Sequence, residues 1–267
     1  PQDPPVSALF VYNCNPVATM PDQQRVVDGL ERHDLFTVVF DQVMTDTALY
    51  ADVVLPNTTF LEHYDFAKAY GPISLEMARP VIDTVGEARS NADVFGELLT
   101  RFDLLQEGEP SGELDLLLTV LDQLPASVGT ALRDDRTAVP ECGLQPVQFV
   151  DVFPNTPDRK IDLFPAGLDA EAPAGLYAYQ PDPATTAHPL TLISPASERT
   201  ISSTLGELPR TDVKLTMHPD DAETRGLSDG DTVRMFNGLG EVHVVLSVLP
   251  TIKRGTVSPP KGLWRRS

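Results

Sequence analysis

"LFTVVFDQVMTDTALYADVVLP" occupies Leu35–Pro56. An apolar run leads into Asp41, crosses a polar stretch carrying Thr45 and Thr47, and resumes as a second apolar run that stops at Pro56. Upstream, "VSALFVYN" (Val6–Asn13) is another short apolar run. Between them, "QQRVVDGLERH" has apolar residues at helical spacing. Strand, helix, strand, short helix, strand is the pattern of a parallel sheet with crossovers. The near-continuous Val, Leu and Phe runs predict strands covered on both faces. The fold class expected is α/β, a partial parallel sheet with flanking helices.

The rest of the 267-residue chain divides by character. After an irregular stretch from Leu61 to Arg89, "SNADVFGELLTRFDLL" predicts a helix capped by Ser90 or Asn91. "SGELDLLLTVLDQLP" predicts another, closed by Pro125. From Pro140 to Pro189 the chain is proline-rich and reads as a linker, with "KIDLF" as a short strand. From Leu190, "LTLIS", "VKLTMH", "DTVRMFN", "EVHVVLSVL" and "GTVSPP" are short β-segments separated by turn signals, with "HPDDAETRGL" a small helix. Dense turns with a minor helix predict a β-barrel. The expected organisation is an α/β region over 1–139, a linker over 140–189 and a barrel over 190–267.

Composition excludes several functions. The net charge of −19 argues against nonspecific binding to nucleic acid or an anionic membrane, because each phosphate contact needs a cation. Hydrophobic residues make up 41% of the chain, enough to bury real cores. No apolar run reaches the roughly 18–20 residues that span a bilayer. Cys14 and Cys142 lie far apart and cannot build a four-thiolate zinc or iron–sulfur site. So few cysteines give no disulfide scaffold, and a cytoplasmic location is expected over a periplasmic one. The chain opens on Pro1, so the missing signal peptide carries little weight.

Loops at the carboxyl ends of parallel strands are where α/β sheets bind ligands. Here they are "NCNP", with Asn13 and Asn15; "DQVMTDT", with Asp41, Thr45 and Thr47; and "PNTTFLE". Short amide and hydroxyl groups suit a phosphate or ribose as well as ordinary turn chemistry. "SPASERTISST" (Ser194–Thr204) follows a predicted strand with six hydroxyls and Arg199, which suits a phosphate-bearing or heteroatom-rich ligand as well as a polar loop. His218 before Pro219 either caps the small helix or faces a ligand. "GLGE" at Gly238 lacks a dinucleotide fingerprint and reads as a hairpin turn. His63 among Glu62 and Asp65 reads as a solvated turn before a metal site. Cys14 has no base nearby in sequence to make it a nucleophile.

In their order along the chain, "ALFVYNCNP", "T-x-T-A-x-x-A-D-V-V-L-P" (Thr45–Pro56), "LISPASERTISSTLGE" and "H-P-x-D-A-x-x-x-G-L-x-D-G-D" (His218–Asp231) resemble the molybdopterin oxidoreductases, the dimethyl sulfoxide reductase and formate dehydrogenase superfamily. The resemblance implies binding of molybdopterin guanine dinucleotide carrying molybdenum or tungsten. It implies a second domain of the aspartate-decarboxylase (double-psi) barrel type. Carried over by motif, Asn13, Asn15, Asp41, Thr45 and Thr47 would surround one nucleotide-bearing arm. Ser194, Ser197, Arg199, Thr200 and Ser203 would line the barrel's share of the site, with His218 and Asn237 beside them.

The departures matter too. The cysteine cluster for a 4Fe–4S centre and the segment that supplies the metal's protein ligand are absent, and the barrel is expected to lack its last strands. The chain is therefore expected to be part of a larger subunit, inactive and poorly stable alone, with the rest of its polypeptide and electron-transfer subunits as partners. The competing expectation is a non-catalytic subunit of the same fold in a respiratory complex, without the cofactor.

Overall fold

The run read above as a strand is one: β2 (Phe36–Asp41) lies between β1 (Ala8–Tyr12) and β3 (Val53–Pro56). β1 and β2 are parallel, with Ala8 opposite Phe36 and Tyr12 opposite Phe40. The protein is described here from a computed structural model covering residues 5–68, 73–134, 137–172, 175–196, 202–208 and 213–264. Only the central strand meets the expectation of burial on both faces. Past its exposed first residue, Phe36, β2 has Thr37, Val39 and Phe40 fully buried, whereas Leu9, Tyr12, Val53 and Val54 of the outer strands are exposed. The outer strands have a neighbour on one side only, so their apolar runs are half covered.

Between β1 and β2 the chain forms α1 (Pro16–Thr19) and α2 (Gln23–Leu30). Val17, Val27 and Leu30 are buried together, joined by Val26 and Tyr50. Asp22, in the left-handed region, caps α2 by accepting from the Arg25 N–H. Between β2 and β3 a single 3-10 turn (Thr47–Tyr50) packs Ala48 against Val11 and Val39.

The chain falls into two compact units, one of Pro1–Leu55 with Gln180–Ser267, the other of Pro56–Tyr179. In the first, the late β-segments form β7 (Thr191–Leu192), β8 (Lys214–Met217), β9 (Thr232–Phe236), β10 (Glu241–Val248) and β11 (Thr256–Ser258). They make one mixed sheet in the order β7-β11-β8-β10-β9. β8 and β10 run parallel, and the β9–β10 hairpin is antiparallel. The parallel pair needs a crossover. It is supplied by α7 (Pro219–Thr224) and β9. Alternate residues of β8 and β10 point inward, so Leu215, Met217, Val244 and Leu246 meet Ala222, Val233 and Val257.

The second unit corrects the sequence reading in two places and adds one helix to it. The stretch taken as irregular holds an antiparallel hairpin, β4 (Asp65–Lys68) with β5 (Leu75–Ala78), joined by β6 (Thr137–Ala138). Beyond the two predicted helices, α3 (Asn91–Arg101) and α4 (Glu113–Gln123), there is a third, α5 (Ala126–Asp134). "KIDLF" is not a strand, and Ile161, Leu163 and Phe164 are exposed. Short apolar runs form strands only where a neighbouring strand takes up their backbone groups. Met77, Leu117, Leu121, Leu132 and Ala138 form this unit's core. A short α6 (Ala166–Glu171) follows in the proline-rich stretch.

Candidate functional site

The loops leaving β1 and β2 are joined through two buried side chains. At the end of β1, Asn13 turns the chain with φ of 49°, its N–H still donating to the Phe40 carbonyl. Asn adopts this left-handed conformation more readily than other residues with side chains. Two residues on, Asn15 is 3% exposed, and its Oδ1 accepts from the Thr47 hydroxyl (2.8 Å) and the Thr47 N–H (3.2 Å). Thr47 is fully buried, and its Oγ1 in turn accepts from the Val17 N–H (3.1 Å). Thr45, also buried, accepts from the Ala48 N–H (3.2 Å) and so caps the 3-10 turn.

This arrangement sorts the predicted residues by task. The hydroxyls of Thr45 and Thr47 are committed within the protein and shape the loop. Asn15 retains a donor, because its Nδ2 is buried with no hydrogen-bond partner among the described residues. Such an atom carries a desolvation cost unless an acceptor meets it. Asp41 is half-buried at the end of β2, its Oδ1 accepting from the Gln42 N–H (2.7 Å). Burial raises its carboxyl above the ordinary range, the N–H groups of Gln42 and Val43 oppose this, and the charge of Glu207 adds to it. Glu207, three residues beyond the hydroxyl-rich segment, is thus within electrostatic reach of Asp41.

Within the hydroxyl-rich segment, Ser194 is exposed and Ser203 half-buried. Ser197, Arg199 and Thr200 lie outside the described residues. Residues 202–208 are held by the chain's last described turn, where the buried Trp264 Nε1 donates to the Ser203 carbonyl (2.8 Å). Sequence reasoning missed this clasp. The signal available was the glycine pair Gly206 and Gly262, where a Cβ would meet the Trp264 ring and the Ser202 backbone respectively.

His218 takes the cap role. Its Nδ1 accepts from the Asp220 N–H (3.2 Å) at the start of α7. Asn237 closes the β9–β10 hairpin, its side chain accepting from the N–H groups of Leu239 (2.8 Å) and Gly240 (3.2 Å). "GLGE" is thus part of a turn. Asn237 and Gly238 also edge a groove of about 830 Å³ along this sheet, lined mainly by apolar residues such as Leu192, Leu215, Met217 and Val257. In the other unit, His63 Nδ1 lies 3.0 Å from the Thr58 hydroxyl, and Glu62 accepts from the Thr59 and Val85 N–H groups. Among the described residues, no cluster of three His, Cys, Asp or Glu side chains could hold a metal ion. None of their helices is long and apolar enough to cross a membrane.

The paired loops at the carboxyl ends of β1 and β2, with a buried amide donor unmet among the described residues, lie where α/β sheets bind ligands. Residues 1–101 match the model of the molybdopterin oxidoreductases, and residues 190–267 that of the molydopterin dinucleotide binding domain. The chain belongs to the molybdopterin oxidoreductase family. It is 31% identical to the probable oxidoreductase YoaE of Bacillus subtilis over 98% of this chain and 39% of that protein. It is 26% identical to the trimethylamine-N-oxide reductase of Haemophilus influenzae, over 98% of this chain and 36% of that protein. In fold it resembles the acetylene hydratase of Pelobacter acetylenicus, with a TM-score of 0.74, 22% identity, and coverage of 97% of this chain and 37% of that one. The chain thus spans less than half the length of these relatives.

Proposed function

We propose that this chain forms cofactor-binding structure of a molybdenum or tungsten oxidoreductase and holds molybdopterin guanine dinucleotide. The observation that carries the reading is the Nδ2 of Asn15, a buried donor at the carboxyl edge of β1 with no acceptor among the described residues. A dinucleotide rich in phosphate, ribose and carbonyl oxygens supplies such an acceptor. When bound, the cofactor supplies a metal held through dithiolene sulfurs that exchanges two electrons with a substrate. The protein's share is binding, orientation and electrostatics.

The parts assigned to the residues extend this reading. Asn13 bends the loop away from the sheet, and Asn15 donates from beneath it. Asp41 accepts from ribose hydroxyls or guanine N–H groups. The resemblance assigns the pterin side to the segment from Ser194 to Thr204, through its hydroxyls and Arg199. Thr45 and Thr47 act on the cofactor through the loop they shape. The five-stranded sheet is read as part of a barrel of the aspartate-decarboxylase (double-psi) type, a reading supported by its mixed strand order and the crossover through α7. The negative net charge is no obstacle, because backbone N–H groups and single arginines can meet phosphates locally.

The redox assignment leans on the oxidoreductase relatives. A fold shared with a hydratase does not set the reaction. The test is a full-length preparation assayed for molybdenum, tungsten and guanine nucleotide, and for reoxidation of a reduced dye by trimethylamine N-oxide or a related small oxide. Metal and nucleotide near one metal per chain support the reading. A well-folded preparation with neither overturns it and favours a cofactor-free subunit of the same fold.

A further inference from the structure

Asn15 and Thr47 sit 32 residues apart, yet every hydrogen-bonding group of the Thr47 side chain and its N–H are engaged around Asn15 and Val17. The consequence is directional. An asparagine amide can be turned through 180° with little change of shape, which exchanges donor for acceptor. Here the exchange is blocked. The Thr47 N–H can only donate, so it requires an oxygen opposite it, and the hydroxyl, which already accepts from the Val17 N–H, donates to the same oxygen. Oδ1 must therefore face Thr47, and Nδ2 must face away from it. That nitrogen is the buried one without a partner among the described residues.

We propose that Thr47 is a positioning residue that locks the Asn15 amide so that Nδ2, and never Oδ1, is presented to an acceptor oxygen of the bound dinucleotide. The inference rests on the cofactor reading above and adds to it a polarity and a cause. Thr47 does not touch the ligand. It selects which end of Asn15 does. A valine at 47 keeps the shape and the backbone N–H that bonds Oδ1, but removes the hydroxyl, so the Val17 N–H is left unmet and the amide is held by one donor instead of two. A serine keeps the lock.

The test compares full-length wild type with Asn15→Asp, Thr47→Val and Thr47→Ser. Metal and guanine nucleotide are measured per chain after purification and after timed dialysis, together with the melting temperature of cofactor-free protein. Asn15→Asp keeps an oxygen for Thr47 and replaces only the donor, so the loop stays joined while retention of nucleotide falls about ten- to a hundredfold. Thr47→Val is expected to lower retention about tenfold, and Thr47→Ser to restore it to within about twofold of wild type. Wild-type retention by Asn15→Asp would overturn the donor assignment. Equal loss in the serine and valine variants would overturn the lock, because it would make the hydroxyl irrelevant. A melting temperature for Thr47→Val far below that of Thr47→Ser, with equal nucleotide retention in the two, would reduce Thr47 to a structural role and also overturn it. Were wild type itself to carry no nucleotide, the cofactor reading would fail first, and visibly so.

Discussion

The indole Nε1 of Trp264 donates to the carbonyl of Ser203 at 2.8 Å, across 61 residues of sequence. The contact ties the end of the described chain to the segment with most of the predicted pterin-side hydroxyls. Two glycines make it possible. Gly206 lies against the Trp264 ring, and Gly262, with φ of +72°, lies under the Ser202 carbonyl. Gly262→Ala adds a methyl in the left-handed region where the opposing backbone leaves no space, and is expected to cost at least about 2 kcal/mol. Trp264→Phe keeps most of the ring but leaves the carbonyl without its donor, costing about 1–2 kcal/mol. Denaturant unfolding of the full-length protein measures both. A Gly262→Ala protein as stable as wild type would show that residues 202–208 are not held this way.

Leu246 is 1% exposed, faces Leu215 across the parallel β8–β10 pair and touches no candidate ligand residue. Leu246→Ala should destabilise by about 2–5 kcal/mol through lost burial and the cavity left behind. At cofactor saturation, the metal content of the protein that remains folded should equal that of wild type. This makes it the control that separates loss of fold from loss of site.

Two carboxylates predict opposite responses to pH. Burial raises the Asp41 carboxyl, so its folded form holds a proton more tightly than the unfolded chain. Its contribution favours folding in acid and is lost as pH rises through the raised value, above which the buried charge opposes folding. Asp41→Asn should therefore stabilise the cofactor-free protein at neutral pH, with the gain shrinking toward about pH 3. Glu62 is the reverse. The Thr59 N–H above all, then the Val85 N–H and the Thr59 hydroxyl, hold its carboxyl below the ordinary range. Its contribution is present above the unfolded carboxyl value and is lost as pH falls through the depressed one. Glu62→Gln should flatten the acid limb of the unfolding profile. Chemical unfolding at several pH values checks both signs.

Thr45 caps the 3-10 turn from a buried position, so Thr45→Val leaves the Ala48 N–H without its acceptor. The expected cost is about 1–2 kcal/mol, with a faster loss of nucleotide on dialysis as the β2 loop loosens. Thr45→Ser should behave as wild type. Equal nucleotide release from the valine and serine variants would separate loop order from binding.

The elements of regular period were legible in the sequence. Helices α2, α3 and α4, the strands flanking the threonine crossing and the late β-segments follow from apolar spacing, caps and turns, because these act within a few residues. The hairpin of β4 and β5 was not legible. "DFAK" and "LEMA" are too short to show a period, and they are strands because each takes the other's backbone hydrogen bonds. "KIDLF" had a better local pattern but no partner strand among the described residues, so it stayed irregular.

The candidate site divides in the same way. The sequence by itself determined the polar groups, Asn13, Asn15, Asp41, Thr45 and Thr47, and that they follow parallel strands, because residue identity and element order are local properties. Only the tertiary structure decided which of them face inward. Thr45 and Thr47 bond within the protein, and Asn15 keeps a nitrogen unpaired among the described residues because a threonine 32 residues away fixes its amide. Hydrogen bonding is saturable and directional, so which polar group remains for a ligand depends on which others have been paired, and that pairing is set by contacts between distant parts of the chain.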